Sequence, residues 1–276
     1  MKKGNIFKNL LAIILIAVLF FPSCKPAQKS GSQNKTSVSI DKDKISEDVR
    51  EFVYPLPTSF EVTEMLNEIG AAYILTLSNE TTNVKRYLTE KSKALNLGIY
   101  SADLSYASTY NQKQATTDYI NVSKILIDAL NISAAIDANI IKQIENNQDD
   151  KEKLTELITN TFYDTYEFLN KNGRSEVSML IVAGAWVEGL YIITHISEDT
   201  YNDKEMVKLV MEQKASLNKL VELLKVTKED DATAETLKLL KPLKALYDSI
   251  EDGAITENQL NEIKASIYSI REEIIQ

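Results

Sequence analysis

Residues 177–196 read VSMLIVAGAWVEGLYIITHI, and residues 96–107 read NLGIYSADLSYA. Both stretches lack the polar stripe of a surface helix, and each places glycine inside a run that otherwise favours helix. An interior glycine costs about 1 kcal/mol against alanine, so some contact must offset that cost. Close approach of two backbones is such a contact. We therefore predict that these two helices form the buried centre of the fold and pack on each other through Gly98, Ala102, Gly184 and Ala185.

Around this centre the sequence has few helix breakers. Of the eight glycines and five prolines, six and three lie beyond residue 44. Apolar residues recur with a period near 3.6, and no stretch shows the alternation that is typical of a strand. The sequence therefore predicts an all-α fold of eight to ten helices in antiparallel bundles, spanning residues 45–276. A division into two sub-bundles, about 45–147 and 149–276, stays open.

Local signals predict where the helices begin and end. Pro55 must end a short first helix, and Thr58 begins a capping box for the next one, which Gly70 interrupts or ends. A long helix is expected from about Arg86 to Tyr110, and Pro242 should kink or break a helix over about 233–250. Further boundaries are expected at 117–130, Ser133, Asp149, Asn172 with Gly173, Asn202 and Thr256.

The N-terminus has the features of an export signal. Lys2, Lys3 and Lys8 precede an unbroken apolar run from Leu10 to Phe21. This run is shorter than the about 20 residues that span a bilayer, and it has the length of a signal-peptide core. No later stretch approaches 18 consecutive apolar residues.

The apolar run ends at the only cysteine of the chain, in LFFPSCKP, residues 19–26. Ser23 followed by Cys24 resembles the lipobox of bacterial lipoproteins, although Phe21 stands where a lipobox more often has Leu. The resemblance implies cleavage of residues 1–23, a diacylglyceryl group on the Cys24 sulfur and acylation of the new N-terminus. Two or three acyl chains give stable membrane attachment. An ordinary secretion signal would instead leave a free reactive thiol.

The residues after Cys24 are interpreted as a tether. Residues 24–44 are polar and carry no apolar period, which is typical of a flexible linker. Lys25 takes the place of the Asp that the lipoprotein resemblance links to inner-membrane retention, and no acidic cluster of the kind linked to surface export follows. The expected location is therefore the outer membrane, facing the periplasm.

Net charge excludes one class of partner. The formal charge of −9 becomes −12 when residues 1–23 are removed, because they contain three lysines and no acid. Such an acidic body is repelled by phosphate backbones, so no nucleic-acid partner is expected.

Two acids lie inside the apolar helices. Asp103 shares a helix face with Tyr100, and Glu188 shares one with Tyr191 and His195, the only histidine of the chain. A buried acid must be paired, hydrogen-bonded or neutralised. One interpretation is a polar pocket for a small ligand or cation, and the other is a structural network. The candidate residues are Asp103, Glu188, His195, Tyr100, Tyr191 and Trp186.

Catalytic patterns are missing from the sequence. A di-metal bundle needs two Glu-x-x-His motifs, and a zinc site needs several Cys or His residues. Neither pattern can be formed by one histidine and one cysteine. No nucleophile elbow and no Gly-rich phosphate loop occurs either. We expect no enzyme activity, no metal site and no cofactor.

The two apolar runs also carry a resemblance to known sequences. The pattern NLGxYxADLxYA, followed by AGxWVEGLY, resembles an uncharacterised family of all-helical bacterial lipoproteins, as does YPLPTSF at residues 54–60. The resemblance covers the chain from about residue 50 onward. It implies a helical fold and an envelope location, and it carries no activity.

Together these features predict a non-enzymatic, lipid-anchored envelope protein that binds or supports another envelope component. The alternative is a small-ligand or cation-binding module with its pocket at Asp103 and Glu188.

Overall fold

The computed structural model describes residues 59–276, apart from 137, 148, 199, 228–229 and 252–254. The predicted signal peptide, the tether, the first short helix and the Thr58 cap therefore lie outside the described residues. The chain divides into two units, Met1–Ile40 and Asp41–Gln276, and every described residue belongs to the second.

The described part of the chain is all-α, as predicted, and contains no strand. Its nine α-helices are α1 Ser59–Glu68, α2 Glu90–Thr109, α3 Lys113–Ala129, α4 Ala138–Asn146, α5 Lys151–Lys171, α6 Ser175–His195, α7 Lys204–Val226, α8 Asp231–Asp248 and α9 Glu257–Ile275. Short 3₁₀ turns occur at Leu75–Leu77, Thr81–Arg86 and Ser133–Ala135.

Helix α6 lies at the centre of this fold. All residues from Val177 to Thr194 are buried, and α1, α2, α5, α7, α8 and α9 pack around the helix. It is the one described helix that is long and apolar enough to cross a membrane, yet its apolar window is wholly buried inside the fold. The apolar character of α6 is thus explained by its position in the core.

Helices α2 and α6 pack on each other through their glycines, as the sequence predicts. A Cβ added to Gly98 would overlap the carbonyl oxygen of Ile181 and crowd the amide nitrogen of Ala185. A Cβ added to Gly184 would overlap the carbonyl oxygen of Leu95. Ala102 is fully buried on the same helix as Gly98. The two backbones are close enough that only glycine fits at Gly98 and Gly184.

Buried apolar side chains from both halves of the chain form one cluster, which extends in sequence from Val62 to Ile274. Helices on either side of residue 148 contribute to it. The boundary considered near this residue does not interrupt the core.

Several predicted helix boundaries are confirmed. Gly70 and Gly173 take positive φ angles of 79° and 72° just after α1 and α5, a backbone conformation that glycine adopts without strain. The Thr256 side chain accepts a hydrogen bond from the Gln259 N–H and completes a capping box at α9. Helices α5 and α7 are capped by the side-chain oxygens of Asp150 and Asp203, one residue after the predicted boundaries at Asp149 and Asn202.

Other predicted boundaries differ from the structure. Helix α3 begins at Lys113, one turn before the predicted start at residue 117. Helix α2 begins at Glu90 instead of near Arg86, because Thr89 and Ser92 form a capping box there. Ser133 caps no helix, because its hydroxyl donates to Asp128 and α4 begins only at Ala138. Pro242 does not break α8, which is continuous from Asp231 to Asp248.

Candidate functional site: a buried acid–arginine network

The close contact of α2 and α6 brings the two predicted acids into the centre of the fold. Asp103 follows Gly98 by five residues on α2, and Glu188 follows Gly184 by one turn on α6. Both side chains are 0% exposed. Carboxyl groups at this depth are stable only with partners, since an unpaired buried charge costs several kcal/mol.

The partner of Glu188 is Arg271, which α9 contributes and which is 5% exposed. The Arg271 Nε donates to Glu188 Oε2 at 2.6 Å, and Nη2 donates to Oε1 at 2.9 Å. This two-pronged geometry is the strong form of a charge-assisted hydrogen bond. Arg271 Nη2 also donates to the backbone oxygen of Leu77 at 2.9 Å. One guanidinium therefore joins α9, α6 and the segment before α2.

Asp103 has no such cation of its own. Its Oδ2 accepts a hydrogen bond from the backbone N–H of Asn79 at 3.0 Å, while Oδ1 has no hydrogen-bond donor beside it. Burial, and next the negative charge of Glu188, raise the pKa of Asp103 well above its usual range, although Arg271 opposes this shift. A raised pKa favours the protonated carboxyl, which has a hydrogen-bond donor to offer to Glu188 that the carboxylate lacks.

Glu188 holds the negative charge of the pair. Burial raises its pKa as well, but the Arg271 charge, the Arg271 hydrogen bonds and the Asp103 hydrogen bond all act in the opposite direction. The consistent protonation state is a neutral Asp103 that donates to an ionised Glu188, which is paired with Arg271. The network then carries no net charge, which is the arrangement that a buried cluster requires.

The same network holds the segment between α1 and α2. Asn79 donates from its backbone to Asp103 and from its side chain to the Tyr87 hydroxyl, and its carbonyl accepts from the Tyr119 hydroxyl at 3.2 Å. The Tyr100 hydroxyl donates to the carbonyl of Glu80 at 2.9 Å. Tyr100 is fully buried, and burial is the main reason that its pKa is raised. These hydroxyls replace the helical hydrogen bonds that the segment lacks.

His195 and Tyr191 lie at the edge of the network. The two rings stack with centroids 4.2 Å apart, and the Arg271 guanidinium lies 4.2 Å from the Tyr191 ring centre. His195 Nδ1 donates to the carbonyl of Tyr191 at 2.9 Å. Burial lowers the pKa of His195 to about 4. Among the described residues, no hydrogen bond or ion pair joins His195 to Asp103 or Glu188.

Trp186 lies apart from the other candidates. Two positions along a helix differ by about 200°, so Trp186 faces away from Glu188. Its side chain lines a cavity together with Ala185 and Gly189, and Glu188 does not line this cavity. The structure therefore brings together Asp103, Glu188 and Tyr191 around Arg271 and places Tyr100 near Asp103. His195 lies beside this group, and Trp186 lies outside it.

The chemistry of this arrangement is that of a structural network. The acids are closed off from solvent, and a protein cation already occupies the side of Glu188 where a ligand cation would bind. Among the described residues, no group of three or more His, Cys, Asp or Glu side chains could hold a metal ion.

Sequence reasoning missed Arg271 and Asn79. Arg271 did carry a signal, because it falls on the apolar stripe of α9 formed by Ile263, Ile267 and Ile274. A charged residue on such a stripe indicates a buried partner. Asn79 carried none, since it lies in an irregular segment without periodicity.

Comparison with known proteins adds no relative. No model of a protein family matches the chain, and neither the curated proteins nor the solved structures contain a match. The resemblance of the two apolar runs to a family of helical lipoproteins stays a prediction.

Proposed function

We propose that this chain is a lipid-anchored protein of the bacterial envelope that binds or supports another envelope component without catalysing a reaction. The observation that carries the proposal is the stretch LFFPSCKP, which places the only cysteine directly after an apolar run of signal-peptide length. The anchor would be attached at Cys24 and would hold residues 45–276 at the periplasmic face of the outer membrane.

The structure of the described residues supports the non-enzymatic part of the proposal indirectly. The buried acids, which were the strongest candidates for chemistry, are used internally by Arg271, Asn79 and each other. His195, the only histidine, donates to a backbone carbonyl within its own helix.

The alternative function, a small-ligand or cation site at Asp103 and Glu188, has less support. Both side chains are 0% exposed, and a cation there would have to displace the Arg271 guanidinium from hydrogen bonds of 2.6 and 2.9 Å. Such a displacement would leave Arg271 buried without its counter-ion.

Intact-mass measurement of the protein purified from bacterial envelopes tests the anchor. We expect a chain that begins at Cys24 and carries three acyl chains, and we expect incorporation of an alkyne-labelled fatty acid. The matched control is Cys24→Ala, which should incorporate no label and keep residues 1–23. A mature chain with a free Cys24 thiol, or one cleaved elsewhere, would contradict the proposal.

Site-specific photo-crosslinking in intact cells tests the partner. Leu75 and Leu88 are suitable positions because they are 65% and 78% exposed. Tyr201 and Val226, exposed on another part of the chain, serve as matched positions. A discrete crosslinked protein at one pair and not at the other supports a specific partner. Crosslinks at none of the four positions would count against partner binding at these faces.

A further inference from the structure

A cavity of about 140 Å³ lies beside α6, and none of Asp103, Glu188 and Arg271 lines it. Helices α2, α3, α5 and α6 supply most of its wall. Gly189 lies in this wall, and a Cβ added there would meet no atom within 4 Å. This glycine therefore differs from Gly98 and Gly184, because its missing side chain leaves space instead of allowing a helix contact.

The wall of the cavity carries no charge. None of the side chains that line it is Asp, Glu, Lys, Arg or His. The hydroxyl groups of Ser101, Thr161 and Thr165 donate to carbonyl oxygens one turn earlier in their own helices. These three donors are therefore already engaged. The Ser123 hydroxyl and the Trp186 indole N–H, which also line the cavity, have no hydrogen-bond partner within the described residues, and the rest of the surface is mainly aliphatic and aromatic. A charged ligand would lose its hydration here without gaining a counter-ion.

The size and the mouth of the cavity suit a small apolar group. Ile127, Ile136 and Phe162 line the cavity and are only partly buried, so the cavity reaches the protein surface between α3 and α5. An engineered cavity of about 150 Å³ lined by Leu, Ile and Phe in another protein binds benzene. Close-packed interiors have few voids of this size, and an unfilled one forgoes dispersion contacts along its wall.

We propose that this cavity binds an uncharged hydrocarbon group of about the size of a benzene ring with a short alkyl chain. Two sources of such a group are a free small hydrocarbon and the end of a lipid acyl chain. The proposal goes beyond the anchored function above and does not depend on Cys24, since the cavity is formed wholly by residues after Ser59.

Trp186 provides the measurement, because it lines the cavity and is the only tryptophan of the chain. The protein used is the unit 41–276, which contains every described helix and their single core. Titration with n-butylbenzene should give a saturable change in Trp186 fluorescence, with one site per chain, and should raise the melting temperature. The charged isostere 4-phenylbutyrate should do neither.

Gly189→Leu should fill the cavity and weaken butylbenzene binding by at least about tenfold, the factor that corresponds to 1.4 kcal/mol. Ala245→Leu is the matched control, since it adds similar bulk at an exposed position of α8 and should leave binding unchanged. If Gly189→Leu does not fold, NMR of the unsubstituted chain replaces this variant as the test. The spectra should then show contacts between the butylbenzene ring and the Trp186 indole.

The source is distinguished by competition with dodecanoyl-lysophosphatidylcholine below its micelle-forming concentration. If the lysophospholipid displaces butylbenzene, the ligand group is the end of an acyl chain. If it does not displace butylbenzene, the ligand is a free small hydrocarbon. The proposal is overturned if butylbenzene gives no saturable signal, if 4-phenylbutyrate binds equally well, or if a folded Gly189→Leu variant binds like the unsubstituted chain.

Discussion

At the residue scale, Asp103 and Glu188 should respond differently to removal of their charge. Asp103→Asn replaces a protonated carboxyl by an amide that can still accept from Asn79 and donate to Glu188, so we expect a change in unfolding free energy within about 1 kcal/mol at pH 7. Glu188→Gln leaves the buried Arg271 charge unpaired and should cost about 3–5 kcal/mol. Urea unfolding of the two variants measures both values.

The pH dependence of the unfolding free energy gives a second test of whether Asp103 is protonated in the folded protein. Because the pKa of Asp103 is raised in the folded state, the folded protein keeps a proton that the unfolded chain releases above its ordinary value of 3.8. This contribution to stability is therefore full below that value and is lost as pH rises toward the folded pKa. Asp103→Asn lacks it, so the variant should gain stability relative to the original protein as pH rises above the ordinary pKa value of 3.8. An equal loss for both variants would mean that Asp103 is ionised.

His195 should titrate in the opposite sense. Burial lowers the pKa of His195 from 6.5 to about 4. Between these two pH values the unfolded chain therefore binds a proton at His195 and the folded protein does not. Acidification through this window should destabilise the original protein relative to His195→Phe, which keeps a ring beside Tyr191. NMR titration of the only histidine should give a midpoint near 4. A midpoint near 6.5 would show that the ring is solvated.

At the scale of the helices, the three glycines of the central pair should separate into two classes. Gly98→Ala and Gly184→Ala place a methyl group against the backbone of the partner helix and should each destabilise the protein by about 1–3 kcal/mol or more. Gly189→Ala meets open space and improves helix propensity, so it should stabilise by up to about 1 kcal/mol. Urea midpoints of the three variants test this order.

Two results would contradict this order of stabilities. Equal destabilisation by all three substitutions would mean that Gly189 also lies against a backbone, and that the cavity beside it is filled. Equal stabilisation would mean that α2 and α6 are farther apart than the contacts of Gly98 with Ile181 and of Gly184 with Leu95 indicate.

The helices themselves were largely predictable from local signals. Caps such as Asp150 and Thr256, and the glycines that end α1 and α5, act within one turn of the chain, so sequence alone contains them. Of the kink or break predicted at Pro242, the break does not occur. Pro242 and Lys238, four residues earlier, are both exposed, so water can solvate the carbonyl that lacks a partner, and the helix continues.

At the scale of the whole molecule, the site was only half predictable. The sequence places Asp103 and Glu188 in apolar helices, which suffices to predict that they are buried and need partners. It does not say that the partner is Arg271, which lies 83 residues after Glu188 in sequence and reaches it only when α9 packs on α6. The choice between a ligand pocket and a structural network depended on that long-range contact.

Arg271 joins α9, α6 and the segment before α2, so its loss should destabilise all three. Arg271→Met removes the counter-ion of Glu188 and the donor to the Leu77 carbonyl, and should cost about 3–5 kcal/mol at pH 8. The loss should be smaller at pH 5, because Glu188 can then take up a proton more readily. Arg271→Lys keeps the charge without the two-pronged geometry and should give an intermediate loss.

A double-mutant cycle shows whether the pair or its separate charges matter. Glu188→Leu combined with Arg271→Met replaces a buried ion pair by apolar groups, which often restores much of the stability that a single change removes. We expect the double variant to lose clearly less than the sum of the two single losses, as measured by urea unfolding. Hydrogen exchange should still show faster opening of residues 71–89 in the double variant, because the Leu77 carbonyl keeps no donor from α9. Additive losses with unchanged exchange would mean that Arg271 acts by packing alone and does not hold this segment to the core.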